Sequence, residues 1–405
     1  MALLPDWLKA AQHTVPQWIR KVGHDDGPGR YRFALDAFEP YDLDSSCLAA
    51  VTRLNIEGML PEAERREWAD YLLGMQEPTE GWLVDKAMER HIVTKEKCPT
   101  AEEVFAVHHW TTRNGLTTVI ELGGRPRYPI AHKERFHTRE ETEAYLTGLD
   151  WHTPWGAGSW AGALIWYHRI NQMLGDESAS VVIGAAVDWL ARRQDPDTGA
   201  WSDGSDVRLH RLLNGIFKVW IQAIPASDFP VQYPEKVIDL CLRALREDPA
   251  LVNTPDACSI FDVALVLDVA LHLCDHRRDE VAELAVQALP RLEPLYREDG
   301  AFSYGPGGSL ASHGGLQLAP VKMQSDAAGT AIVVSAISLL CNLCGLCEEI
   351  GWTPTTESRM GLKTPWEHHD RSGGCAIPSC TGGEGPREKN PMPKSHGWRL
   401  GWEPR

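Results

Sequence analysis

The chain has 405 residues, 43% of them apolar and 16 of them tryptophan, enough to bury one large core or two ordinary ones. Its formal charge of −16 excludes the basic face that nucleic-acid binding needs, and it disfavours a polyanionic substrate unless the sign is reversed locally. The ten cysteines show no paired metal-ligand spacing, and several stand in apolar runs (Cys241, Cys274, Cys341, Cys344, Cys347), which predicts buried free thiols and a reducing compartment.

In chain order, the opening Met1-Ala2-Leu3-Leu4-Pro5-Asp6 has no charged and then apolar leader, so a cytoplasmic protein is expected. An amphipathic helix is predicted from Pro5 to Val22. Another spans Leu43 to Gly58, with Asp44 or Ser45 as its cap. Pro61 opens the next at its first turn, which ends at Gln76. Glu102 to Leu122 is apolar and periodic and carries His108, His109, Trp110 and Arg113. Residues 123–140 are basic and aromatic without a period and read as a long loop of the kind that is usually functional. Trp151-His152-Thr153-Pro154-Trp155 then leads into a nearly all-apolar helix to about Ile170, whose Gly156, Gly158 and Gly162 permit close approach.

Amphipathic and apolar segments alternate from there. Residues 178–194, Pro234 to Arg246 and Asp279 to Leu295 are amphipathic. His210 to Ala223, Ala257 to Leu273 and a last helix to about Leu346 are mostly apolar. The apolar run from Ala331 to Leu346 is short for a membrane span and is interrupted by Ser335, Ser338 and Asn342. A helix apolar all round is covered on all sides, and an amphipathic one on one face. The alternation therefore predicts an all-α fold of two concentric rings, an α/α toroid of five to six antiparallel helix pairs. It occupies residues 41–352, after an N-terminal helix and lead-in over 1–40. Residues 353–405 are rich in Pro, Gly and Ser and read as an irregular arm or tail, through which the chain can oligomerise. Cys375 and Cys380 in that arm allow a disulfide or a metal pair.

One pattern recurs three times. Gln76-Glu77-Pro78-Thr79-Glu80-Gly81-Trp82 and Gln194-Asp195-Pro196-Asp197-Thr198-Gly199-Ala200-Trp201 each join a helix end, a turn glycine and an aromatic. In Tyr296-Arg297-Glu298-Asp299-Gly300-Ala301-Phe302, Tyr296 replaces the glutamine and Phe302 the tryptophan. The copies lie roughly 100 residues apart, about twice the ~40–50 of a helix pair, so weaker copies belong between them. The pattern resembles the repeat of the terpenoid cyclase and protein prenyltransferase superfamily over about residues 40 to 350, and that resemblance implies the same toroid.

The resemblance also implies where chemistry should be sought, at the inner-helix starts that ring a central funnel. Protein prenyltransferases place zinc-ligating aspartate and cysteine two apart at one such start, and Asp256-Ala257-Cys258 matches this. Their third ligand, a histidine before a threonine, corresponds to Gly329 in Asp326-Ala327-Ala328-Gly329-Thr330. Two ligands do not make a zinc site, so no metal and no cofactor are expected. The Asp-x-Asp-Asp run of squalene and hopene cyclases does not occur in the sequence.

Carbohydrate chemistry, the third activity common on α/α toroids, needs stacking aromatics, carboxylates or Tyr/His/Arg sets. The catalytic candidates are His152, Arg211, Asp256 and Tyr304. The substrate-binding candidates are His108, Trp151, Trp155, Asn214, Lys218, Asp262, His313 and Asp326. In a lyase, His152 or Tyr304 would remove a proton while Arg211 or Lys218 neutralised a sugar carboxylate. Each residue also has a structural reading: core histidines, an Arg211 staple between helices, an Asp256 helix cap, a Trp155 packed in the core. The expected function is a polysaccharide lyase, glycoside hydrolase or uronate epimerase. Its partner would be a small molecule or oligosaccharide, with no nucleic acid and no membrane span. An isoprenoid-handling enzyme and a non-catalytic binding toroid are the alternatives.

Overall fold

The computed structural model describes residues 4–94, 98–131, 135–204, 206–253, 255–354 and 399–400. In chain order its helices are α1 (Asp6–Val22), α2 (Leu43–Glu57), α3 (Glu62–Leu73), the single turn α4 (Lys86–Glu89) and α5 (Ala101–Glu121). They continue as α6 (Arg139–Gly148), α7 (Pro154–Met173), α8 (Ala179–Arg193), α9 (Leu209–Ala226) and α10 (Pro234–Glu247). The last are the turn α11 (Pro249–Val252), α12 (Ala257–Leu273), α13 (Arg278–Ala288), α14 (Ala327–Leu343) and the turn α15 (Cys347–Ile350).

Helices α2, α5, α7, α9, α12 and α14 follow one another around an inner ring. Helix α7 packs on α9, α9 on α12, α12 on α14, and α14 closes the ring on α2, which packs on α5. The Tyr167 hydroxyl donates to the His109 carbonyl at 2.5 Å and joins α7 to α5. Outside them α3 covers α5, α8 covers α7, α10 lies over α9 and α12, and α13 over α12 and α14. The fold is the expected α/α toroid. Helix α14 is buried from Ala327 to Thr330 and again along nearly its whole length. Outer helix α13 buries only Val281, Leu284, Ala285 and Ala288, the i, i+3, i+4, i+7 stripe of a one-sided helix.

The three repeats have one geometry. The Gln76 side chain donates to the Gly81 carbonyl at 2.9 Å, and that of Gln194 to the Gly199 carbonyl at 2.7 Å. Gly81, Gly199 and Gly300 all have positive φ, at 76°, 71° and 104°, a region that glycine enters without the Cβ penalty. A Cβ on Gly81 would also stand 2.2 Å from the Pro129 carbonyl oxygen. In the third copy Tyr296 keeps its place by backbone pairing with Phe302 instead of through an amide.

Three local expectations are corrected. Helix α2 is capped by Asp42, which accepts from the Ser45 amide at 2.8 Å and hydroxyl at 2.6 Å, and not by Asp44 or Ser45. The loop beginning at residue 123 gives way at Arg139 to helix α6, opened by a reciprocal Thr138–Glu141 capping box. The outer helix expected to reach Leu295 stops at Ala288, after which Pro290 and Pro294 hold Leu289–Leu295 in a tighter 3-10 turn. The loop's described part serves the repeat: Gln76 donates to the Tyr128 carbonyl and accepts from the Arg127 amide. His132 and Lys133 lie outside the described residues, as do Cys375, Cys380 and nearly all of the arm. No described helix is long and apolar enough to cross a membrane, and the described cysteines are free thiols.

Candidate functional site

All six inner helices contribute to one cavity of about 980 Å³, at the upper end of the volumes that bury a small organic ligand. The residues that bring chemistry to it stand mainly on α5, α7, α9 and α12 and in the loop that contains Tyr304 and His313.

Helix α9 supplies one continuous stripe. His210, Asn214 and Lys218 are four apart, and Arg211 is three before Asn214, so they share one face, and all four line the cavity. Glycines set how near that face lies to α7. A Cβ on Gly158 would stand 2.7 Å from the Gly215 carbonyl oxygen, and one on Gly162 2.7 Å from that of Lys218. Larger residues there would push the two helices apart and displace the stripe. Arg211 is exposed and makes no side-chain hydrogen bond or ion pair among the described residues. Lys218 is buried, with Nζ 4.9 Å from the ring centre of Trp155 and 5.6 Å from that of Trp110.

Helix α12 supplies the acids. Asp256 caps it by accepting from the Ser259 amide at 2.8 Å and also lines the cavity. Asp262, less than two turns further on, is 1% exposed. Its Oδ2 accepts from the Asn214 amide at 2.6 Å, and its Oδ1 has no hydrogen-bond partner among the described residues. Burial pushes this carboxyl up to about 7, against the Lys218 charge and the Asn214 bond, which hold it down. Asp262 thus keeps its proton to a much higher pH than an ordinary aspartate. Beside it burial pushes the Cys258 thiol up to about 12. Burial, followed by the neighbouring Cys258 and Asp256, raises the Tyr304 phenol far above its ordinary value.

Basic and aromatic side chains line the same cavity. The Arg113 guanidinium lies 4.7 Å from the Trp110 ring centre, and the His313 ring meets Trp110 edge-on at 5.2 Å between centroids. His109 packs on Trp160 at 4.5 Å. Trp155, 44% exposed, stands at the opening. A chain of net charge −16 therefore gathers Arg113, Arg211, Lys218 and His313 on one cavity. Glu103, Asp256 and Asp262 line the same cavity, so both signs of charge meet there.

Two of the cavity histidines are held by carboxylates. His210 Nδ1 lies 2.9 Å from Asp248 Oδ2, and His313 Nδ1 lies 2.6 Å from Asp44 Oδ2. Burial alone would lower the His313 pKa, but the Asp44 charge and hydrogen bond outweigh it and raise the imidazole above its ordinary value.

Of the twelve residues singled out in the sequence, Arg211, Asp256, Tyr304, Trp155, Asn214, Lys218, Asp262 and His313 line the cavity. The other four do not. His152 is exposed on the turn before α7. His108 bonds Glu89 at 3.1 Å through Nε2, and burial lowers its pKa. Trp151 is buried, donates to the Leu146 carbonyl and stacks on Trp189 at 5.6 Å. Asp326 caps α14 through the Gly329 amide at 2.7 Å and accepts from the Tyr304 and Leu310 amides at 3.1 Å each. Its role is to hold the loop that carries Tyr304 and His313. Trp110, Trp160, Asp44 and Asp248 were not among the twelve. The aromatics sit at helical spacing that core packing explains equally well, and the acids act on histidines distant in sequence.

The zinc set of the prenyltransferases does not fit. Asp256 and Cys258 are present, but a Cβ at Gly329 would lie 2.2 Å from both the Ser303 carbonyl carbon and the Tyr304 amide nitrogen. Main chain fills the space a third ligand would need.

No family model and no curated protein matches the sequence. Among solved structures, the chain is similar to the one titled "Crystal structure of unsaturated glucuronyl hydrolase specific for heparin", at 10% identity and a TM-score of 0.41, over 85% of this chain and 98% of that chain. A likeness of that size transfers no residue roles.

Proposed function

We propose that the cavity is the active site of a glycoside hydrolase acting on an acidic oligosaccharide. The observation that carries the reading is Asp262: a buried carboxyl on the cavity wall, held by Asn214 through one oxygen, unpartnered at the other, and pushed up to about 7. This is the environment that keeps a carboxylic acid protonated for donation to a leaving-group oxygen. Trp155 and Trp110 offer faces for sugar rings, and Arg211 with Lys218 offers charge for a sugar carboxylate.

Hydrolysis is favoured over elimination because Asp262 can donate to a leaving oxygen, and the two bases expected for a lyase are not suited to removing a proton. His152 is outside the cavity, and the Tyr304 phenol is held far from ionisation. An isoprenoid chain would leave the Arg211 guanidinium and the open oxygen of Asp262 facing hydrocarbon, which is costly for a polar group without a partner.

Calorimetric titration with matched acidic and neutral oligosaccharides tests the substrate class. Arg211 is an exposed cation, so Arg211→Met should leave the melting temperature unchanged and weaken the acidic ligand about tenfold or more, the loss of one charge-assisted contact. Equal binding of acidic and neutral ligands, or an acidic affinity untouched in Arg211→Met, contradicts the reading.

A further inference from the structure

His210 is the second residue of α9, and its surroundings differ from those of the other cavity histidines. Asp248, at the junction of α10 and α11, accepts from the Ala250 amide at 3.0 Å through Oδ1. Its Oδ2 takes both the His210 amide at 3.0 Å and His210 Nδ1 at 2.9 Å. One carboxylate therefore fixes the start of the helix and the orientation of the ring. A neutral imidazole whose Nδ1 donates to a carboxylate carries its lone pair on Nε2. The ring lines the cavity, and the side chain retains 11% exposure. Among the described residues nothing hydrogen-bonds Nε2. At His313 the carboxylate partner is Asp44, which raises the imidazole above its ordinary value.

His210 also has a defined relation to the acid. Asn214 stands one turn further along the same face of α9 and donates to Asp262 at 2.6 Å. His210 and Asp262 are thus joined through one helical turn and one hydrogen bond. A base that activates a water molecule, instead of a nucleophile that bonds to the sugar, gives a single displacement at the anomeric carbon.

Building on the hydrolytic reading of Asp262, we propose that His210 is the general base of the same reaction, oriented by Asp248, and that the cleavage inverts the anomeric configuration. The water oxygen bonds to the anomeric carbon while one of its protons passes to His210 Nε2. The bond between the anomeric carbon and the leaving oxygen breaks, its electron pair stays on that oxygen, and the proton of Asp262 is transferred to it. One water is consumed and two hydroxyl-bearing products form. Proton exchange with solvent returns imidazolium and carboxylate to their starting states. Asp248 is a positioning residue, because it acts only through the imidazole.

Three measurements on the full chain test this. Nitrogen-15 spectra of labelled protein should show His210 as the Nδ1–H tautomer, and Asp248→Asn should lose that preference. On acidic oligosaccharides that the wild type cleaves, His210→Ala should lower kcat about 100-fold or more with little change in KM, the scale of a general base. Added imidazole should restore part of that rate in His210→Ala and none in Asp262→Asn. Proton spectra of the first-formed product should show the inverted anomer. An Nε2–H tautomer in the wild type overturns the proposal whether or not the variants fold. So does a His210→Ala that raises KM alone, or a retained configuration. A wild type active with His210→Ala within threefold of it overturns the base assignment and leaves the hydrolase reading standing. A wild type that cleaves none of the saccharides overturns both.

Discussion

Asp44 Oδ2 and His313 Nδ1 lie 2.6 Å apart across 269 positions of sequence and tie the first turn of α2 to the loop that closes the cavity. Burial alone would lower the pKa of this histidine, and Asp44 raises it above its ordinary value beside Trp110. The other charges acting on it are Asp326, which raises it further, and Lys218, which lowers it.

Asp44→Asn removes the charge and keeps the shape. His313 should then lose its proton at a lower pH. An acidic oligosaccharide that binds wild type at neutral pH should bind the variant about tenfold more weakly there, the scale of one charged hydrogen bond. Its affinity should recover as the pH falls below the ordinary histidine range. Titration calorimetry at two pH values checks this, and a variant with wild-type affinity at neutral pH contradicts it.

Asp42 gives a stability prediction with a defined sign. Burial pushes this cap up to about 8, against the two Ser45 bonds that lower it. The folded chain holds the proton more tightly than the unfolded chain, whose aspartate keeps its ordinary value of 3.8. Its contribution to stability is therefore fully present below about pH 4 and is lost as the pH rises towards 8. Asp42→Asn cannot ionise and can still accept from the Ser45 amide. Its melting temperature should be at or below that of wild type near pH 5 and above it near pH 8–9. A difference between the two proteins that does not change with pH contradicts the assignment.

Gly329→His places the side chain that would complete a prenyltransferase-type zinc set. The Cβ alone would stand 2.2 Å from the Ser303 and Tyr304 main chain. The variant should be destabilised by about 2 kcal/mol or more, and it should bind no stoichiometric zinc. An unchanged melting temperature with one tightly bound zinc per chain would contradict the packing described for this loop.

The toroid was legible because it is written in short-range patterns. The all-round apolar run of α14 and the one-sided stripe of α13 each announce a layer, and Gln194 with Gly199 announces a local turn that closes within five residues. The stripe of Arg211, Asn214 and Lys218 was legible for the same reason, since helical spacing alone puts them on one face. The rest of the site depends on long-range meetings. Neither Asp44 nor Asp248 has a local feature that marks it as a histidine partner, and Asp44 reads as a cap until Asp42 is seen in that place. Trp151 and Trp155 are indistinguishable in sequence, yet one is 2% and the other 44% exposed. Asp326 and Asp262 are both buried carboxyls, pushed up to about 6 and about 7. Only the hydrogen bonds separate them: three backbone amides take up Asp326, and Asp262 keeps one oxygen unpartnered.

The central claim, that Asp262 is the acid of a hydrolase for acidic oligosaccharides, is tested most directly by mass spectrometry of such saccharides after incubation with wild type and with Asp262→Asn. The amide retains an acceptor for Asn214 and cannot donate an acidic proton, so the fold should persist, as circular dichroism would record. The account predicts products one water heavier in sum than the substrate with wild type, and a rate about 100-fold or more lower in Asp262→Asn. Cleavage by Asp262→Asn at the wild-type rate, or products formed by elimination with no water added, would contradict it.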